Sequence, residues 1–117
     1  MNPTPEERVA AARARMAELK EKFIERTQGD LQTMNASLAA LEAGDSAPLD
    51  SIVQLAHRMT GTGATLGLEA LSDRAQEVER LAEGVPAGSP PDAAAMAQLR
   101  AAIDALGAEL ERTPRGG

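Results

Sequence analysis

The chain has no cysteine, no tryptophan and no tyrosine, and it has one phenylalanine and one histidine. Without thiols there is no disulfide, no thiolate nucleophile and no cysteine-ligated metal, a composition that suits a reducing compartment. Without aromatics the core must come from Leu, Ala, Met, Ile and Val; the strand formers among these are too few and scattered for a sheet. No apolar run approaches the roughly 20 residues that span a bilayer. Met1-Asn2-Pro3-Thr4-Pro5-Glu6-Glu7 lacks the charged-then-apolar order of a signal peptide. The expectation is a cytoplasmic protein with no membrane partner.

Basic stripes interleaved with aromatics are also missing, and the net charge is −6, so no nucleic-acid partner is expected. Half the basic residues (Arg8, Arg13, Arg15, Lys20, Lys22, Arg26) precede residue 30, where Glu6, Glu7, Glu18, Glu21, Glu25 and Asp30 balance them. This pattern reads as a solvated helix surface with i,i+4 pairing.

What the chain does have is helix periodicity. Thr4 suits an N-cap and Pro5 the first helical position, with Glu6 and Glu7 at the positive end of the dipole. An apolar stripe runs Val9, Ala12, Met16, Leu19, Phe23 and resumes as Leu31, Met34, Leu38, Leu41. Its phase slips by one position around Thr27–Asp30, which leaves open two helices or one helix with an irregularity. Asp45 or Ser46 can cap the next helix, with Pro48 in its first turn and a stop near Gly67. A further helix buries Leu68, Leu71, Ala75, Val78, Leu81 and Ala82 and turns Glu69, Asp73, Glu77 and Glu79 mostly outward. Ser89-Pro90-Pro91-Asp92 reads as a capping box opening the last helix, whose stripe is Met96, Leu99, Ile103, Leu106, Leu110.

No helix can bury its stripe alone. The fold expected is all-α: an antiparallel, up-down-up-down four-helix bundle over about 20–111 with an N-terminal helical extension over 1–19 and a frayed tail over 112–117, all one domain. The last stripe packs more simply inside one bundle than between copies, so a monomer is expected.

His57 is the residue with chemistry. On an ideal helix with His57 at 0°, Ile52, Leu55, Met59 and Leu66 all fall near 140° or beyond, so the imidazole opposes the apolar stripe. Its own face carries Gly61, Ala64, Asp50 and Val53. An exposed imidazole is a nucleophile near neutral pH and can carry a phosphoryl group on nitrogen. Phosphoryl transfer depends mostly on alignment and charge neutralisation, so its parts can be split between two proteins. Gly61 and Ala64 would let the second protein approach, whereas Gly63, near −120°, reads as a helix-packing glycine. A metal site is not expected, because no second His, Cys or well-spaced acid completes a ligand set. A Ser-His-Asp triad needs a rigid cleft, and no G-x-S-x-G occurs. The residues alone leave open a phosphocarrier and a surface histidine without function.

The stretch Ala56-His57-Arg58-Met59-Thr60-Gly61-Thr62-Gly63-Ala64-Thr65-Leu66-Gly67, followed by Leu71, resembles the motif of histidine-containing phosphotransfer (HPt) domains of bacterial phosphorelays. The matching positions are His57, Met59, Gly61, Gly67 and Leu71, and the architecture matches from about Phe23 to Leu110. The resemblance implies a four-helix bundle with a phosphorylatable His57 on its second helix. It implies partners that are receiver domains of response regulators and hybrid sensor kinases, which exchange aspartyl phosphate and dock on the two helices nearest the histidine. Mg²⁺ would be held by the receiver, with no cofactor of the chain's own. Thr60 stands where many members carry a phosphate-neutralising lysine. Arg58 points sideways as an imperfect substitute, and Thr60 offers a hydroxyl. Gln54 either orients the imidazole or phosphate or is a solvated side chain.

The expected function is therefore a phosphocarrier that accepts and donates at His57, with Gly61 and Ala64 clearing the docking surface and Val53 and Thr60 lining it. Lacking an ATP-binding element, the chain should not phosphorylate itself. The alternative is a non-catalytic helical module that binds a receiver or kinase and inhibits or scaffolds it. A third reading is an oligomeric helical adaptor.

Overall fold

A computed structural model describes residues 1–115, and the described residues form four helices and no strand. Helix α1 spans Pro5–Glu42, α2 Pro48–Thr65, α3 Glu69–Glu83 and α4 Ala93–Arg112. Each helix packs on its sequence neighbours and α1 closes the ring against α4, while among the described residues the backbones of the diagonal pairs stay more than 8 Å apart, Cα to Cα. This is the up-down-up-down bundle that single-stripe helices with short loops require. The core is aliphatic, built around Ile24, Met34, Leu38, Ile52, Met59, Leu71, Val78, Leu99, Ile103 and Leu106.

α1 is one uninterrupted helix. The apparent phase slip disappears because Thr27 is fully buried and continues the stripe from Phe23 toward Leu31 and Met34. Two steps of four residues through Thr27 absorb the mismatch between a heptad pattern and a straight helix. Gly29 lies on the exposed outer face, where the missing side chain leaves no cavity.

The helix ends follow backbone satisfaction. The Thr4 hydroxyl accepts from the Glu7 N–H at 3.1 Å, as expected of an N-cap. Neither Asp45 nor Ser46 caps α2 by its side chain. Asp45 Oδ1 instead accepts from the Ala47 N–H at 3.0 Å, a tight turn that delivers the chain to Pro48. At α4 the N-cap is Asp92 itself, accepting from the Ala95 N–H at 2.8 Å, so the start lies three residues beyond the Ser89 capping box. Pro90 and Pro91 disfavour helical backbone at the residues that precede them. Of the expected tail, Arg112 closes α4 and Arg115 pairs with Glu21; Gly116 and Gly117 lie outside the described residues. The i,i+4 pairing expected near the N-terminus is absent among the described residues, whose local pairs are Glu77–Arg80 and Glu109–Arg112 at i,i+3.

The α2–α3 corner sets the geometry of everything above it. Gly67 has φ +76°, a left-handed conformation that glycine adopts without steric cost, and it ends α2. The Leu68 N–H reaches back to the Gly63 carbonyl at 2.8 Å and the Gly67 N–H to Ala64 at 3.1 Å. The chain thus reverses within three residues. Gly63 is buried against α3, and a Cβ there would stand 3.3 Å from the Ser72 Cβ and 3.5 Å from the Leu68 carbonyl oxygen. The Ser72 hydroxyl uses this closeness to donate to the Thr60 carbonyl at 2.7 Å.

The two mid-helix glycines of α2 should therefore respond oppositely to substitution. Gly61→Ala meets nothing within 4 Å and should raise stability by about 0.5–1 kcal/mol through helix propensity. Gly63→Val would drive its branches into α3 and should lower stability by about 1–3 kcal/mol. Urea unfolding followed by circular dichroism measures both.

Candidate functional site

His57 sits midway along α2, on the face opposite Ile52, Met59 and the other buried residues of that helix. Its side chain is 77% exposed. One ring nitrogen is nevertheless held: Nδ1 lies 2.6 Å from Oε2 of Glu79 on α3, whose side chain is only 16% exposed. A carboxylate can only accept, so Nδ1 is the donor and carries the proton. In the neutral ring this leaves Nε2 with the lone pair. The arrangement fixes both the tautomer and the ring orientation through a single bond.

Glu79 reaches His57 because of the α2–α3 corner. In an antiparallel helix pair, positions recede from the turn at equal rates on the two strands. Gly63 opposite Ser72 then sets His57 level with residues near Val78 and Glu79. Of these, Val78 points into the core and Glu79 lies at the edge of the buried face. Sequence reasoning turned Glu79 outward with its acidic neighbours. The Gly63–Ser72 pairing, counted back from the turn, is the signal that would have found it. Glu77 is occupied elsewhere. The Arg80 guanidinium beside it holds its carboxyl below the ordinary glutamate range, and Arg80 is raised in turn.

On the other flank of His57 an open depression runs toward α1. It is lined by His57, Arg58, Gly61, Thr62 and Thr65. Gly61 is exposed with nothing near its missing Cβ, so the floor beside the imidazole is bare backbone. Thr62 and Thr65 were not anticipated as lining residues. They lie farther round the helix than Gly61 and Ala64, on the side of α2 that carries Arg58. The Thr65 hydroxyl donates to the Gly61 carbonyl at 3.0 Å, which satisfies backbone the glycine leaves exposed.

The remaining expected site residues distribute less favourably. Arg58 lines the depression but is engaged by Asp30 of α1, its Nη2 donating to the two carboxylate oxygens at 3.1 and 3.3 Å. Thr60 is half-buried toward α3, and its hydroxyl donates to the Ala56 carbonyl at 2.8 Å. The proton that Thr60 was expected to offer is thus already in use. Val53 is half-buried against the core, and Gln54 and Ala64 are exposed. None of these three lines the depression. Among the described residues no group of three His, Asp or Glu side chains is placed to hold a metal ion, and no helix is long and apolar enough to cross a membrane.

The fold and this flank define a class: a helical bundle whose one reactive side chain stands in the open, oriented by a carboxylate from the next helix. The family model of the Hpt domain matches residues 18–109, and the chain belongs to that family. Hpt domains are phosphotransfer modules of two-component signalling, carriers rather than catalysts, that interact with receiver domains. No curated protein and no solved structure matches the chain.

The bond to Glu79 has a spectroscopic consequence. Two-dimensional ¹⁵N spectra of neutral His57 should show the Nδ1-protonated tautomer, and Glu79→Ala should shift the population toward the Nε2-protonated form. Because the imidazole is largely solvated, the same substitution should change stability by less than about 1 kcal/mol.

Proposed function

We propose that His57 is the phosphoacceptor, and that the chain accepts a phosphoryl group from one receiver-domain aspartate and donates it to another in a phosphorelay. The observation that carries this reading is an imidazole 77% exposed whose Nδ1 is tied to Glu79. That arrangement leaves Nε2 as the nucleophile. Its lone pair attacks the phosphorus of an aspartyl phosphate, the N–P bond forms, and the P–O bond to the aspartate breaks. The carboxylate leaves with the bonding electrons, so no proton need depart from the ring.

The ring becomes positively charged as the N–P bond forms. Glu79 faces that charge through the Nδ1–H and stabilises it, as a carboxylate does for the imidazolium of a hydrolase triad. The reverse transfer returns the lone pair to Nε2. Gly61 lets the partner's phosphate come into line beside the ring. The Mg²⁺ that neutralises the phosphate belongs to the receiver, so this chain contributes the nucleophile and the approach surface. Autophosphorylation from ATP is not part of the reading. The module acts as a monomer in the cytoplasm.

The engagement of Arg58 by Asp30 and of Thr60 by Ala56 favours one competing reading, a module that binds a receiver without carrying phosphate. Among the described residues no unpaired cation lines the depression to replace the lysine found in relatives of this motif. Incubation with a phosphorylated receiver separates the two. Acid-labile, base-stable label should appear on the wild type and vanish in His57→Gln, whose circular dichroism should be unchanged. Gly61→Leu should keep the fold and slow transfer by at least about tenfold, since a side chain there obstructs alignment. Label that persists in His57→Gln assigns another acceptor, and no label on the wild type assigns the non-catalytic module.

A further inference from the structure

The first turns of α1 stand clear of the bundle. No residue before Ala17 is even half-buried, and Val9, Met16 and Leu19 are 51%, 40% and 39% exposed. With Ala12 these residues form one stripe. On an ideal helix its centre lies within about 40° of the direction taken by the buried residues Phe23, Thr27, Met34, Leu38 and Leu41. The exposed stripe therefore faces the side from which α2 and α4 rise. Arm and bundle end make a step, and the hollow in its corner is lined by Leu19, Lys22, Phe23, Arg26, Thr62 and Leu66.

From Arg8 to Lys22 the borders of the stripe carry one sign of charge, Glu6 at the preceding e position being the exception at its start. With Val9 and Met16 at heptad position a and Ala12 and Leu19 at d, Arg13 and Lys20 occupy e, and Arg8, Arg15 and Lys22 occupy g. Glu7, Glu18 and Glu21 lie on the opposite face. Among the described residues none of the five basic side chains pairs with a carboxylate, although ion pairs are plentiful elsewhere on the surface.

This pattern selects the occupant. A second copy of the arm would set arginine and lysine against arginine and lysine in either orientation, because e and g positions meet across a helix pair. A flat bilayer cannot lie along the stripe, because the bundle stands forward on the same side by about one helix diameter. A single helix fits the step, and opposite charge at its borders would match both edges. We propose that the arm of α1 docks an amphipathic helix of a partner protein whose apolar stripe is bordered by Asp and Glu. The inference is independent of the role of His57.

The probe is a fluorescent synthetic helix of about three heptads, with Leu at a and d and Glu at e and g, titrated into the full chain and followed by anisotropy. It should bind, and a peptide with Lys at e and g should bind at least about tenfold more weakly. The combined variant Arg8→Glu, Arg13→Glu, Arg15→Glu, Lys20→Glu, Lys22→Glu should reverse that order. Val9→Asp with Met16→Asp should abolish binding without changing thermal unfolding, since both side chains are exposed. Equal binding of the two peptides, or failure of the acid-bordered one to bind, would overturn the proposal. So would dimerisation of the free chain in sedimentation equilibrium, or its co-sedimentation with phosphatidylcholine–phosphatidylglycerol vesicles.

Discussion

The geometry of the site depends on how closely α3 can lie against α2 at Gly63. With the Ser72 Cβ 3.3 Å from where a side chain would begin, the two backbones meet nearer than most helix pairs can. That contact, with the reversal at Gly67, fixes the register of the hairpin. The register then decides which residue of α3 stands beside His57. A shift of one residue would present Val78, a core residue, or Arg80, a cation that could not accept from the imidazole. A packing glycine more than a turn from the histidine thereby determines which ring nitrogen is free.

Gly61 and Gly63 divide two tasks along one helix. Gly63 is buried and brings a neighbour close, whereas Gly61 is exposed and keeps the surface beside His57 low. Each weakens the helix by roughly a kilocalorie per mole relative to alanine. Leu49, Ile52, Ala56 and Met59 compensate by anchoring the same helix in the core. The flank toward α1 adds a different constraint. The Arg58–Asp30 pair ties α2 to α1 and at the same time occupies the guanidinium that lines the depression beside the imidazole. In the proposed transfer, neutralisation of the phosphate then falls to the partner more heavily than where a lysine follows the histidine.

Much of this was legible in residue order. The all-helical class, the bundle, the outward histidine and the separate roles of the two glycines all follow from apolar spacing at 100° per residue. Thr4 and Gly67 act as their chemistry suggests. The continuous α1 was obscured because Thr27 is polar, and a hydrophobic pattern does not count a buried hydroxyl. Glu79 was obscured because its place beside His57 depends on the pairing of two helices, which neither helix encodes alone. The same applies to Asp30 with Arg58. Local hydrogen bonds were the other blind spot: the Thr60 hydroxyl turns back onto its own helix, a choice that wheel geometry cannot register.

The central claim is that the tie from Glu79 to Nδ1 leaves Nε2 of His57 to take the phosphoryl group. Phosphorylating uniformly ¹⁵N-labelled protein with a phosphorylated receiver and measuring ¹⁵N–³¹P couplings in the imidazole tests it directly. The account predicts a single phosphohistidine with phosphorus bonded to Nε2 and a proton retained on Nδ1. Phosphorus on Nδ1, or on any atom outside His57, would contradict it.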